Sequence, residues 1–340
     1  MKLTRLLALL ALLAAPPSAR AEDKPIVLEG GAGPGKGKHV VLVSGDQEYR
    51  SEESLPQLAK ILSKHHGFKC TVLFTVDPKD GTVNPNISNV PGLDALKTAD
   101  LLVVFTRFLK LPDDQMQHIA DYIDAGKPVV GLRTSTHAFN DIPKTSPFAR
   151  FNNGSGAPGW EGGFGKRVLG EKWVAHHGAH GKEGTRGVVV KGQEGHGILK
   201  GVAPGSVFGT TDVYTVTLPL PDCTPLLLGE VTETLKPDSP AVKNKKNDPM
   251  MPVAWTKAYK AAGDKTGRAF TTTMGASQDL EFEGTRRLIV NGCLWAAGLE
   301  DKIPEKTNVD LVGEYKPTPF RFKGTAEWVK QPVKPADLVK

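Results

Sequence analysis

Residues 127–139 read Lys-Pro-Val-Val-Gly-Leu-Arg-Thr-Ser-Thr-His-Ala-Phe. Pro128 to Leu132 is an apolar run of buried-strand length. It breaks directly into hydroxyl residues and a histidine. A strand that hands over to a turn in this way is where α/β enzymes of the nucleophile-elbow kind carry their reactive side chain. The elbow position here holds Arg133, which is not a nucleophile. The stretch predicts where a site lies but does not name its reaction.

Outward from it, the chain alternates. His39 to Ser44, Phe68 to Phe74 and Asp100 to Phe105 are further apolar runs. Between the first two, a helix is predicted to start at Ser54. Gln57 sits at the capping-box position, Pro56 in the first turn, and Gly67 stops the helix. Leu55, Leu58, Ala59 and Leu62 form its apolar face. A second helix is predicted over 112–125, with Met116, Ile119, Ala120 and Ile123 on one face. Strand, helix and strand at this spacing imply right-handed crossovers. The fold class expected is therefore α/β, a three-layer sandwich around a mostly parallel sheet. Residues 141–186 are Gly-rich and lack periodicity, as long functional loops do. Strands return at 187–190, 213–217, 226–231, 253–255 and 268–273, and a last helix at about 284–297 packs Leu288, Ile289 and Trp295.

The ends of the chain read differently. Lys2 and Arg5 precede an apolar run from Leu6 to Ala15, Pro16 and Pro17 break it, and Ala19-Arg20-Ala21 has the A-x-A form. Residues 1–21 are read as a secretory leader cleaved after Ala21, which predicts a periplasmic or secreted protein with no membrane span. The formal charge of +6 falls to +3 once Lys2, Arg5 and Arg20 leave with the leader. With no basic run interleaved with aromatics, nucleic acid is excluded as the expected partner. Residues 22–38 form a Gly-rich lead-in. Its Gly30 to Lys36 matches a phosphate-loop spacing, but Gly37 replaces the Ser or Thr required, and the loop precedes a strand instead of joining strand to helix. The domain proper is placed at 39–299. Residues 300–340 form a Pro-rich arm without a helical face, free to wrap the domain or to build a homo-oligomer. Cys70, Cys223 and Cys293 are too few and too scattered for a disulfide framework, and Cys70 and Cys293 read as buried thiols.

In an open parallel sheet, ligands bind beyond the carboxyl ends of the strands. Those ends carry Asp46, Glu48 and Arg50 after the first strand, Arg107 after the third, and Arg133, Thr134, Ser135 and His137 after the fourth. Mixed carboxylates, guanidiniums, hydroxyls and an imidazole suit a polyhydroxylated ligand. Ser135 and His137 do not form a nucleophile–base pair, because i and i+2 neighbours on an extended segment point apart. A second cluster, His176-His177-Gly178-Ala179-His180, packs three imidazoles into five residues. They offer acid–base capacity near neutral pH. Imidazoles this close have the donor type for zinc or another divalent ion, but no Cys, Asp or Glu stands beside them at ligand spacing; neither a metal nor another cofactor is assigned, and a metal-dependent hydrolase built on 176–180 stands as a third reading.

These residues together resemble the ThuA-like (trehalose utilisation) family, whose fold is similar to class I glutamine amidotransferases. The carriers are Val-Ser-Gly-Asp-Gln-Glu-Tyr-Arg (43–50), Gly-Leu-Arg-Thr-Ser-Thr-His-Ala-Phe (131–139), the Gly-Lys-Arg-Val-Leu-Gly to His-His-Gly-Ala-His stretch (165–180), Pro-Val-Ala-Trp (252–255), and the segments 267–279 and 286–298. The resemblance implies a flavodoxin-like sandwich and a link to carbohydrate metabolism. It also implies that His177 or His180 matches the family's mid-chain histidine, and that Asp212 with Tyr214 matches its acidic–aromatic pair. The chain departs from the pattern where Arg133 replaces the Cys or His of the elbow and Ala276 replaces the His of a Gly-His pair. An elbow without Cys argues against glutaminase chemistry.

The expectation is an exported protein that processes an unusual or oxidised sugar by non-covalent acid–base chemistry, hydrolase- or lyase-like. His137, His177 and Glu48 are its catalytic candidates. Asp46, Arg133, Thr134, Ser135, His180, Asp212 and Tyr214 are its substrate-binding candidates. The alternative is a sugar-binding or assembly module that has lost the ancestral nucleophile.

Overall fold

The computed structural model describes residues 25–340; the leader assigned to 1–21 lies outside them. Twelve strands are present among the described residues: β1 (Ile26–Leu28), β2 (His39–Gly45), β3 (Lys69–Phe74), β4 (Leu101–Thr106), β5 (Val129–Leu132), β6 (Ala175–His176), β7 (Gly184–Val189), β8 (Phe208–Gly209), β9 (Tyr214–Thr215), β10 (Cys223–Thr232), β11 (Met251–Lys260) and β12 (Thr266–Thr272). The helices are α1 (Ser51–His66), α2 (Asp113–Asp124), α3 (Glu283–Ala296) and α4 (Thr325–Lys330).

Ten strands form one sheet in the order β1-β3-β2-β4-β5-β12-β11-β10-β7-β8. The expected parallel arrangement holds for its centre, where β3, β2, β4, β5 and β12 run together. The flanks are antiparallel, which makes the sheet mixed. The reason lies in the connections. β11 and β12 are joined by only residues 261–265, too few for the crossover that parallel neighbours require. Part of the stretch read as a lead-in is β1, which pairs with β3 and adds an edge strand.

Successive residues of the central strands feed opposite cores, as a pleat demands. Val40 and Leu42 pack on one side with Leu55, Leu58 and Leu62 of α1 and Leu288 and Ile289 of α3. Val41 and Val43 pack on the other with Met116, Ile119 and Ile123 of α2 and with Phe139, Phe151 and Phe164. Helix α1 begins at Ser51, earlier than the capping-box reading, because its entry is fixed from the sheet side. Ser51 Oγ meets Ser44 Oγ at 2.8 Å and accepts from the Asp46 amide at 3.0 Å, while Ser54 Oγ is buried without a partner.

The Pro-rich arm wraps its own domain. Ile303, Val309 and Trp328 are buried in the first core, and the Val83 amide donates to the Val333 carbonyl. The arm is not wholly without helix, since α4 covers six of its residues. Cys70, Cys223 and Cys293 are free thiols. No helix of the described residues is long and apolar enough to cross a membrane.

Candidate functional site

The carboxyl ends of β2, β4 and β5 do converge, and the elbow residue organises what meets there. Arg133 follows β5 with φ of 42°, a left-handed backbone uncommon for a non-glycine residue. Its amide donates to the Met274 carbonyl at 3.1 Å, tying the elbow to the end of β12. The side chain is completely buried. Nη1 donates to the carbonyls of Asp212 (2.7 Å) and Thr273 (2.8 Å). Nη2 donates to Tyr49 Oη (3.1 Å) and Asp212 Oδ1 (2.9 Å). The rings of Tyr49 and Tyr214 sandwich the guanidinium at 4.3 and 3.9 Å, a favourable cation–π placement once water is excluded. Burial pushes the Tyr49 phenol up to about 12.

Arg133 therefore faces inward, and its expected role as a substrate ligand is corrected: it holds Asp212. The same correction applies to Asp46, Thr134 and Ser135. Asp46 accepts from the amides of Glu48 (2.7 Å) and Tyr49 and from Thr134 Oγ1 (2.5 Å), which uses up its carboxylate in shaping the loop. Thr134 and Ser135 are fully buried. Tyr214 is also buried, with its face on Arg133.

Asp212 is buried and central. Oδ2 lies 2.7 Å from His176 Nδ1, and Oδ1 lies 3.1 Å from His180 Nδ1. Burial alone would raise its pKa. The hydrogen bonds from His176 and His180, with the charge of Arg133, outweigh that and hold the carboxyl well below its usual range. Gly178 makes the approach possible: a Cβ there would stand 3.0 Å from Asp212 Cβ. His176 pairs with Tyr214 across β6 and β9, and the amides of His177 and Gly178 both donate to the Val213 carbonyl.

His180 bridges onward, with Nε2 3.0 Å from Glu48 Oε1. Its pKa is raised, first by the hydrogen bond to Asp212 and then by the charges of Asp212 and Glu48, against burial. Glu48 is raised as well, by burial and then by Asp46, while His180 and Arg107 oppose. Its Oε2 approaches Arg107 Nε only to 3.9 Å.

Two catalytic candidates move. His177 points away from the cluster and places Nε2 2.7 Å from the Lys246 carbonyl. The neighbour that enters the site is His176, the last residue of β6, with Nδ1 2.7 Å from Asp212 Oδ2; His177 lies just past the strand, where its amide and that of Gly178 share the Val213 carbonyl. His137 sits nearby, inside a cage of Phe108 (4.7 Å), Trp173 (5.7 Å) and Tyr214 (6.2 Å). Burial, with Arg107 and Arg133 adding, holds its pKa well below the usual imidazole value, so it stays neutral. Of the catalytic set, Glu48 meets the cluster through His180; it is 5% exposed.

The rim holds residues that the sequence did not single out. Trp173 lies 5.8 Å from the His176 ring. From the arm, Phe320 packs on Tyr49 (5.2 Å) and His180 (5.1 Å), and the Arg107 guanidinium lies over the exposed Phe322 ring at 5.0 Å. The Arg321 amide donates to the Glu48 carbonyl, and Arg50 Nη2 donates to the Arg321 carbonyl at 2.6 Å. Nothing local in the sequence brings residue 320 to residue 48. Among the described residues, His176, His180 and Asp212 are the group able to hold a metal ion, with one ligand atom from each lying within 4.8 Å of the other two.

The sequence profile of the trehalose utilisation family, ThuA, matches residues 39–296. No curated protein matches the chain. Among solved structures, a thua-like protein from Parabacteroides merdae shares 14% identity, covering 85% of this chain and 98% of that one at a TM-score of 0.49. A thua-like protein from Bacteroides uniformis shares 16%, covering 83% of this chain and 95% of that one at a TM-score of 0.44.

Proposed function

The chain belongs to the trehalose utilisation (ThuA) family, and on that premise we propose that it is an exported protein that processes an unusual or oxidised sugar by non-covalent acid–base chemistry. The carrying observation is the position of Glu48. Its Oε1 is engaged by His180 at 3.0 Å, while Oε2 makes only the 3.9 Å approach to Arg107. A carboxyl with raised pKa and one oxygen left for a ligand hydroxyl is suited to proton transfer. Arg107 supplies a planar donor beside it, and Trp173 and Phe322 offer faces to the apolar side of a sugar ring. Arg133 at the elbow excludes covalent attack from that position, so the chemistry is hydrolase- or lyase-like and not a Cys-dependent transfer. The flavodoxin-like kinship belongs to the same proposal, supported by five parallel strands with helices on both faces.

The test is a binding and turnover screen over oxidised and unoxidised glycosides with wild type and Glu48→Gln. The expected result is retained binding with turnover reduced by about 10²- to 10⁴-fold, the usual contribution of general acid–base catalysis. Turnover unchanged in E48Q would remove Glu48 from the chemistry. Export is tested separately, by the N-terminal mass of the protein recovered outside the cytoplasm, with Glu22 expected as the first residue.

A second reading is favoured by the buried Arg133, which fills the ancestral nucleophile's place with a strut. In that reading the chain is a sugar-binding or assembly module, and any homo-oligomer would use the arm's exposed outer face, including Phe322 and Val329. Saturable sugar binding without turnover on any member of the screen is its signature.

A further inference from the structure

The acidic residue nearest the 176–180 histidines in sequence, Glu183, is taken up by the Ala179 amide and Lys246, and the fold supplies another carboxylate from a distance. His176 and His180 turn Nδ1 toward the same carboxylate, at 2.7 Å from Asp212 Oδ2 and 3.1 Å from Asp212 Oδ1. We propose that His176, His180 and Asp212 bind one divalent cation of the zinc type, as an open site beyond the carboxyl ends of the central strands.

Four observations carry this. First, the three ligand atoms are mutually within 4.8 Å, compatible with distances of about 2.0–2.2 Å from each to a common ion. Second, two imidazoles and one carboxylate form a donor set suited to borderline first-row cations and poorly suited to Ca²⁺ or Mg²⁺, which take mainly oxygen ligands. Third, an outer shell is already built. An imidazole bound to metal through one nitrogen usually gives its other N–H to a carboxylate, which fixes tautomer and ring orientation. His180 presents Nε2 to Glu48 Oε1 at 3.0 Å. Asp212 is held from behind by Arg133 through Oδ1, leaving Oδ2 on the His176 side. Fourth, the His176 and His180 side chains remain 40% and 37% exposed, so the ion's remaining positions open to solvent. A structural zinc site is closed by four protein ligands, whereas three ligands and an open face admit water or a ligand oxygen. The open face lies beside Glu48 and Arg107, where adjacent oxygens of a polyhydroxylated molecule would bind the ion.

This inference goes beyond the proposed function and does not depend on a sugar. The test uses the protein from Glu22 onward, freed of metal by chelator and dialysis, then titrated with ZnCl₂ calorimetrically and with CoCl₂ by visible absorption. One equivalent is expected to bind, with the Co²⁺ complex showing intense visible bands of low coordination number. His176→Ala and His180→Ala, at half-exposed positions whose folding circular dichroism can verify, are expected to abolish that binding. Glu48→Gln is expected to keep one equivalent and weaken affinity about 10- to 100-fold, the usual effect of losing an outer-shell carboxylate. His177→Ala serves as control, since its ring faces the Lys246 carbonyl, and is expected to bind as wild type. Failure of wild type to take up an equivalent of either ion, or undiminished binding in H176A or H180A, would overturn the site. Neither result bears on whether Glu48 turns over a sugar.

Discussion

Arg133 shows how one buried side chain can hold a site together. A cation sealed from water is tolerable only when it is paired and fully hydrogen-bonded. Here Nη1 and Nη2 make four donor contacts and two aromatic faces cover the guanidinium, while Nε alone stays buried without a partner. Its left-handed φ costs about 1–2 kcal/mol, which the surroundings offset. Arg133→Met keeps much of the volume but leaves Asp212 a buried charge without its guanidinium. Chemical unfolding is expected to show a loss of about 3–5 kcal/mol, as for other broken buried pairs, with Arg133→Met/Asp212→Asn recovering part of it. A loss below about 1 kcal/mol would mean that the pair is not structural. Lysine is no conservative replacement, since it cannot reproduce the planar fork. The elbow was legible in the sequence as a place because an apolar strand ends at Leu132. The inward direction of Arg133 was not, because it depends on Asp212, Tyr49 and Tyr214, which are far from it in sequence.

At the scale of elements, the β2–α1 loop, the histidine loop and the arm are separate in sequence and joined in the cleft. The apolar faces of α1 and α2 could be read from periodicity, since Leu55, Leu58, Leu62, Met116, Ile119 and Ile123 recur at helical spacing and are all buried. The arm could not. Ile303, Val309, Tyr315, Phe320 and Trp328 follow no helical or strand period, because the segment lies on a surface made by other elements. That His176 and not His177 meets Asp212 was not legible for a related reason: it is set by the pairing of His176 with Tyr214 of β9, which is distant in sequence. If the arm is seated as the packing indicates, Trp328→Ala, at a position 4% exposed, costs about 3–5 kcal/mol in chemical unfolding. An arm held in reserve for a partner would give a cost near zero, and the measurement separates the two.

Over the whole molecule, pH should report on the junction between helix α1, the site loop and the arm. Glu52 lies in the first turn of α1 and is buried, with Arg50 Nη1 3.1 Å from its Oε1. Arg50 in turn holds the Arg321 carbonyl of the arm. Burial raises the Glu52 pKa to about 7, against the opposing charge of Arg50. A carboxyl whose folded pKa is raised favours the folded state while both states are protonated. The contribution is therefore fully present below the unfolded value of about 4.3 and is lost as pH rises through about 7. A difference of this size corresponds to about 3 kcal/mol. Asp279, buried under the amides of Gly275, Ala276 and Thr210, is raised to about 6 by its burial and acts in the same direction. Glu52→Gln keeps an acceptor for Arg50 and cannot ionise. Unfolding free energies measured at several pH values from 4 to 8 are expected to show E52Q gaining on wild type by about 3 kcal/mol across that span, most of it between pH 5 and 7. A constant difference between the two proteins would mean that Glu52 is ionised in the folded state throughout, with Arg50 alone sufficient to hold the charge beneath the site.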